Sequence, residues 1–102
     1  MHHIYVMQGK WVIIGVPSPD RDPLFLQLKD CAVVRYWGTT RGLGQLANSG
    51  PQEKTLVDPE PDGTRIRITV VDRDLPVEEK ASKKWASFLE AQRKEAKAGT
   101  RA

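Results

Sequence analysis

Between Val33 and Ala47 the chain reads Val-Val-Arg-Tyr-Trp-Gly-Thr-Thr-Arg-Gly-Leu-Gly-Gln-Leu-Ala. No other stretch holds so many residues able to grip a ligand. Arg35 and Arg41 offer guanidinium forks suited to phosphate or carboxylate. Trp37, Tyr36 or Trp11 supplies a plane on which a base can stack, with Arg35 as a further cation. Thr39 and Thr40 are positioned to cap a short helix beginning near Gly42, whose first N–H groups attract anions. Gly38 lets the backbone leave a strand, while Gly42 and Gly44 allow close approach to a ligand, with Gln45 at the edge. Arg35, Tyr36, Trp37, Thr39, Thr40, Arg41, Gly42, Gly44 and Gln45 therefore form the expected ligand-binding set. The competing reading makes Trp37 a core residue and the glycines plain turns. Which way Trp37 and Arg35 face decides between them.

A second phosphate contact is expected from Arg65 and Arg67, which project from one strand face about 7 Å apart. Residues of this kind also serve simply as the solvated face of an edge strand.

Catalysis finds little equipment. The single cysteine, Cys31, opens a strand with no histidine near it in sequence and reads as a small buried side chain. His2 and His3 lie at a chain end, where mobility is common. No catalytic residue is expected: there is no paired acid, no Ser-His arrangement and no His/Cys cluster at metal-ligand spacing. Asp58, Glu60 and Asp62 alternate as in a calcium loop but lack its downstream glutamate. The chain is thus read as a non-enzyme without metal or cofactor.

The elements that would position these residues follow from apolar periodicity. Ile4–Met7 and Trp11–Val16 read as strands joined tightly through Gln8-Gly9-Lys10. Pro17–Pro23 is a polar loop. Leu24–Leu28 and Cys31–Trp37 read as two further strands, separated by a turn at Lys29-Asp30. Leu43–Ala47 is one or two helical turns closed before Pro51. Residues 51–63 carry three prolines and read as a loop. Thr64–Asp72 alternates, with Ile66, Ile68 and Val70 on one side, and is expected to be a half-buried antiparallel strand. In the last segment Asp74 reads as an N-cap and Pro76 as the first helical turn. Val77, Ala81, Trp85, Phe88, Leu89, Gln92 and Ala96 form the helix stripe, ended by Gly99. The expected fold is mainly β with a C-terminal helix (α+β), a small antiparallel five-stranded sheet or SH3-like barrel. Residues 1–75 form the β part, and 76–102 the amphipathic helix and tail, within one domain.

Composition sets outer bounds. With 102 residues, 39% hydrophobic and 28% charged, the chain has the size and balance of one globular domain. One cysteine excludes an intrachain disulfide and fits a reducing cytoplasm. No apolar run approaches a membrane span, and the N-terminus lacks a signal-peptide h-region. The net charge of +3 is uneven. Lys80, Lys83, Lys84, Arg93, Lys94, Lys97 and Arg101 outnumber four acids in residues 76–102, whereas nine bases and nine acids balance over 1–75. The basic excess therefore lies away from the glycine-rich turn, which argues against nucleic acid as the partner of the body.

The segment Asp30–Ala47, within a wider span from about Lys10, resembles a group of small bacteriophage proteins that share a strand of the form NARVIRRWGTTKGLGELA. Tyr36 stands where that pattern has a second basic residue, and Gln45 where it has glutamate. The resemblance covers about a third of the chain and omits the C-terminal helix. It implies a phage origin, a host-cytoplasmic setting and a small β fold, with no activity attached. Joined to the residues above, it leads to the expectation of a phage-encoded binding protein, an anti-defence sponge that sequesters a nucleotide-derived immune signal. Homo-oligomerisation would let two copies enclose one ligand. The alternatives are a protein-interaction module (a phage accessory structural protein, or an inhibitor of a host protein) and a non-specific nucleic-acid binder acting through the basic helix.

Overall fold

The computed structural model describes residues 1–100, with side chains through Ala96. The expectations placed on the Lys97 side chain and on Arg101 lie outside the described residues. Six strands form an antiparallel sheet: β1 (His3–Met7), β2 (Val12–Pro17), β3 (Phe25–Tyr36), β4 (Leu56–Glu60), β5 (Thr64–Arg67) and β6 (Val71–Pro76). Two helices accompany them, α1 (Leu43–Ser49) and α2 (Glu79–Thr100). The fold is α+β, as expected, with one strand more than the sequence reading counted.

The sheet order is β4-β3-β2-β1-β6, and β5 pairs with β3 beyond the end of β4. A single 3₁₀ turn, Ile68–Val70, joins β5 on β3 to β6 on β1. That link curls the open sheet back on itself. The long strand read at 64–72 is thus two strands with different partners. Ile66 is buried, but Ile68 lies in the turn and is exposed.

Conversely, the two strands read on either side of Lys29-Asp30 are one. β3 runs twelve residues, with Asp30 at φ 47° and a register shift opposite Gly15. An extra residue there makes a bulge that bends the strand, and aspartate tolerates the left-handed conformation better than most residues. The freed Asp30 N–H donates to Asp62 Oδ1 at 2.8 Å, so the bulge is satisfied from the β4–β5 corner. Five residues of the loop read at 51–63 are β4, whose Val57 pairs with Val34.

Alternation splits the sheet into two apolar faces. On one, Ile4, Ile14, Ala32, Val34 and Val57 meet Leu43, Leu46 and Ala47 of α1 and Ala81, Trp85 and Leu89 of α2. The helix stripe therefore packs on its own sheet. The other face holds Tyr5, Ile13, Leu28, Cys31 and Ile66 inside the curl. The helix starts later than its local signals imply. Asp74 and Pro76 belong to β6, paired with Tyr5 and His3, and α2 begins at Glu79. Ladder hydrogen bonds to β1 outweigh one side-chain cap, worth about 1 kcal/mol. At the far end α2 continues through Gly99 to Thr100.

Candidate functional site

β3 delivers Arg35, Tyr36 and Trp37 to the open end of the sheet. A register shift between Val34 and Tyr36 sets Tyr36 opposite Leu56. Arg35 Nε lies 2.7 Å from Asp58 Oδ2, which draws the guanidinium along β4. Tyr36 is 55% exposed and Trp37 41%, so Trp37 is not core. Arg35 and Arg41 are exposed as well. Residues 35–39 line a shallow depression of about 320 Å³.

Behind the rings the backbone is anchored. Gly38 has φ 65°, and a Cβ on it would lie 2.5 Å from the Lys54 carbonyl carbon and 2.6 Å from Thr55 N. Thr55 Oγ1, buried, donates to the Trp37 carbonyl at 2.7 Å. Gly38→Ala is expected to cost about 2 kcal/mol from the left-handed backbone alone, and to push the 50s loop away from Trp37. Urea melts and the amide shifts of Lys54 and Thr55 check this; a neutral substitution would refute the tight crossing.

The turn is tied down by its own glutamine. Gln45 Oε1 accepts from Thr40 N at 3.0 Å and from Arg41 N at 2.9 Å, with Thr40 Oγ1 at 3.4 Å. Gln45 Nε2 then donates to Gln52 Oε1, and Gln52 Nε2 to the Gly50 carbonyl. Two amides thus lock the turn, α1 and the 50s loop together. Neither threonine caps α1: its N-cap is Gly42, at φ 86°, with no side-chain cap. Gly44 lies inside α1 and has open space where a Cβ would stand. Gln45 thus takes the Thr40 and Arg41 N–H groups, not those of Gly42 and Gly44, and Arg35 is held by Asp58.

Three further features stand beside the expected set. Trp11 (62% exposed) and Leu56 (49%) join Tyr36 and Trp37 as large apolar side chains turned to solvent. Trp11 immediately precedes β2, which runs antiparallel to β3, so it sits at the same end of the sheet. A groove of about 750 Å³ opens elsewhere, between the 17–23 loop and His3, Tyr5, Phe25 and Asp74.

The third is a buried polar network. His2, 4% exposed, places Nδ1 2.6 Å from Ser82 Oγ and Nε2 2.7 Å from Asp30 Oδ2, and its backbone N–H also donates to Ser82 Oγ. Arg93 closes an ion pair on the other Asp30 oxygen. The carboxylate calls for the proton on Nε2, so Nδ1 accepts the serine hydroxyl. This connects Ser, His and Asp as in a nucleophilic triad, an arrangement invisible across 80 residues of sequence separation. Ser82 is buried beneath two groups of residue 2, so the network serves as a latch joining the β1 end, the β3 bulge and α2. Burial chiefly, opposed by the Asp30 hydrogen bond, holds the His2 pKa below its ordinary value.

Other reactive groups are quiet. Burial, foremost, raises the Cys31 thiol, so it is not a thiolate near neutrality. Burial and then Asp74 push the Tyr5 phenol up. Among the described residues no three His, Cys, Asp or Glu side chains converge to hold a metal. No helix there is long and apolar enough to cross a membrane.

Fold and site together define a small, curled antiparallel sheet closed on one face by a C-terminal helix, with an aromatic end beside a locked glycine turn. No family model matches the chain, and comparison with curated proteins and with solved structures finds no match.

Proposed function

We propose that this is a non-enzymatic binding protein whose contact surface is the aromatic end, and that its partner is another protein. The observation that carries the reading is the exposure of Trp11, Tyr36, Trp37 and Leu56 at one end of the sheet. Aromatic side chains mounted on a rigid strand are the usual anchors of protein interfaces, and each costs little entropy to immobilise. The phage resemblance of this same segment makes an inhibitor of a host protein, or an accessory structural component, the partner-binding role it fits.

The sponge reading comes second. The rings of Tyr36 and Trp37 beside the depression still favour a planar ligand, with Arg41 free of ion pairing among the described residues. For a phosphate to use the Thr40 and Arg41 N–H groups, it must displace Gln45 Oε1.

A photo-cross-linker at position 56 tests the pair, with Trp37→Ser as the control. One stoichiometric protein adduct, lost on Trp37→Ser, supports the first reading; truncating such an anchor costs about 2 kcal/mol, roughly thirtyfold in Kd. Saturable calorimetric binding of a cyclic nucleotide or cyclic ADP-ribose isomer, with no protein adduct, would replace it with the second.

A further inference from the structure

Arg65 and Arg67 stand on β5 opposite Gln27 and Phe25 of β3. Both guanidinium carbons lie over the same ring, at 4.5 Å and 5.2 Å from the Phe25 centroid. Neither arginine has an ion pair or a side-chain hydrogen bond among the described residues, where Arg35 and Arg93 are both paired with aspartates. Two like charges gathered on one ring without a counter-charge repel each other, and a solvated strand face has no need of such a gathering. The ring holds each cation through its face and consumes no N–H donor, so both donor forks remain available.

Phe25 also lines the 750 Å³ groove, together with Arg21, Tyr5 and His3. Two of the carboxylates there are already engaged. Asp22 Oδ1 accepts the N–H groups of Leu24 and Phe25, and Asp74 Oδ1 lies 2.7 Å from His3 Nδ1. Asp20 is the third carboxylate of the lining; Arg65 and Arg67 stand outside the lining and adjoin the groove through the Phe25 ring, which both contact. The size of the groove suits a small organic ligand.

We propose that Arg65, Arg67 and Phe25 form a phosphate seat at the mouth of this groove, taking a phosphorylated small molecule of about nucleotide size. Tetrahedral phosphate oxygens bridge two guanidiniums at this strand spacing, and the groove receives the organic body. This site is separate from the aromatic end, and does not depend on what that end binds.

Calorimetry and ³¹P shifts with inorganic phosphate, pyrophosphate and adenosine 5′-diphosphate test it on the full chain. Arg65→Gln and Arg67→Gln are each expected to weaken binding about tenfold or more, by loss of a charge-assisted bond. Arg73→Gln, on β6, is expected to leave it unchanged. Tighter binding of the nucleotide than of pyrophosphate assigns the groove to an organic body; equal binding assigns the seat to free polyphosphate. Absence of binding by all three probes at low salt overturns the proposal, as does an equal loss from Arg73→Gln, which marks mere net charge. Phe25→Leu, which keeps the apolar filling but removes the ring face, separates positioning of the arginines from their charge and is expected to weaken binding while both arginines remain.

Discussion

Trp85→Ala is expected to remove about 4 kcal/mol of folding stability, within the range for truncating a buried aromatic side chain. Trp85 is fully buried where α2 crosses α1 and the sheet, and its ring packs nearly perpendicular to that of Phe88, 5.7 Å between centroids. Its Nε1 donates to the Leu46 carbonyl at 2.9 Å, across 39 residues. Losing that bond adds little, because the same carbonyl also accepts from Gly50 N. The cost is the cavity. Domains of this size have about 5–15 kcal/mol in total, so the variant would sit near its folding limit. In urea the midpoint is expected to fall by about 2 M, taking a slope of about 2 kcal/mol/M. Trp85→Phe, which keeps most of the volume, is expected to lose roughly half as much. A drop below about 1 M for the alanine variant would mean that α2 is not docked as described.

Asp30→Ala is the second large loss. It strips the partner from Arg93 and from His2 Nε2, and takes the charge from a bulge residue that the β4–β5 corner also holds. Removing one member of a buried pair costs about 3–5 kcal/mol. Arg93 is 37% exposed and can recover water, so about 3 kcal/mol is the expected figure here. The same latch gives the protein a signature in pH. The native His2 pKa lies below its unfolded value, because burial disfavours the charged ring more than Asp30 favours it. Above about pH 6.5 the ring is neutral in both states and the latch contributes in full. As pH falls below that, the unfolded chain binds a proton that the native chain resists, and stability declines until the native ring also protonates. The amine of Met1 and the Arg93 guanidinium oppose that protonation, after burial. Urea melts between pH 5 and 8 are expected to show this slope in the parent chain and to show it flattened in His2→Asn. An unchanged slope in the variant would assign it to other groups.

The latch and the turn show where a sequence reading stops. His2 gave no signal, since a lone histidine at a chain end carries no periodicity and Ser82 is 80 residues away. Gln45 was legible as part of the glycine turn. That its carbonyl would occupy the Thr40 and Arg41 N–H groups was not, because side-chain hydrogen bonds depend on which rotamer the packed neighbours leave open. Trp37 posed an explicit choice between core and surface, and its 41% exposure answers for the surface. The Arg65–Arg67 pair was read from strand spacing, but the common ring beneath it comes from β3.

Apolar periodicity in the sequence was enough to define an α+β fold, the strands through Ile4, Ile14 and Val34, and the helix stripe from Ala81 to Leu89. These follow because burial of alternating or helically spaced side chains is encoded within each segment. Tertiary structure alone decided that Asp74–Pro76 is a strand rather than a cap, that residues 64–72 divide between two partners, and that the turn is locked while the aromatic end stays open. Each of those outcomes rests on backbone or side-chain hydrogen bonds between segments far apart in the chain. Such groups bond to whatever the fold brings within reach, so their partners cannot be read from their neighbours in sequence.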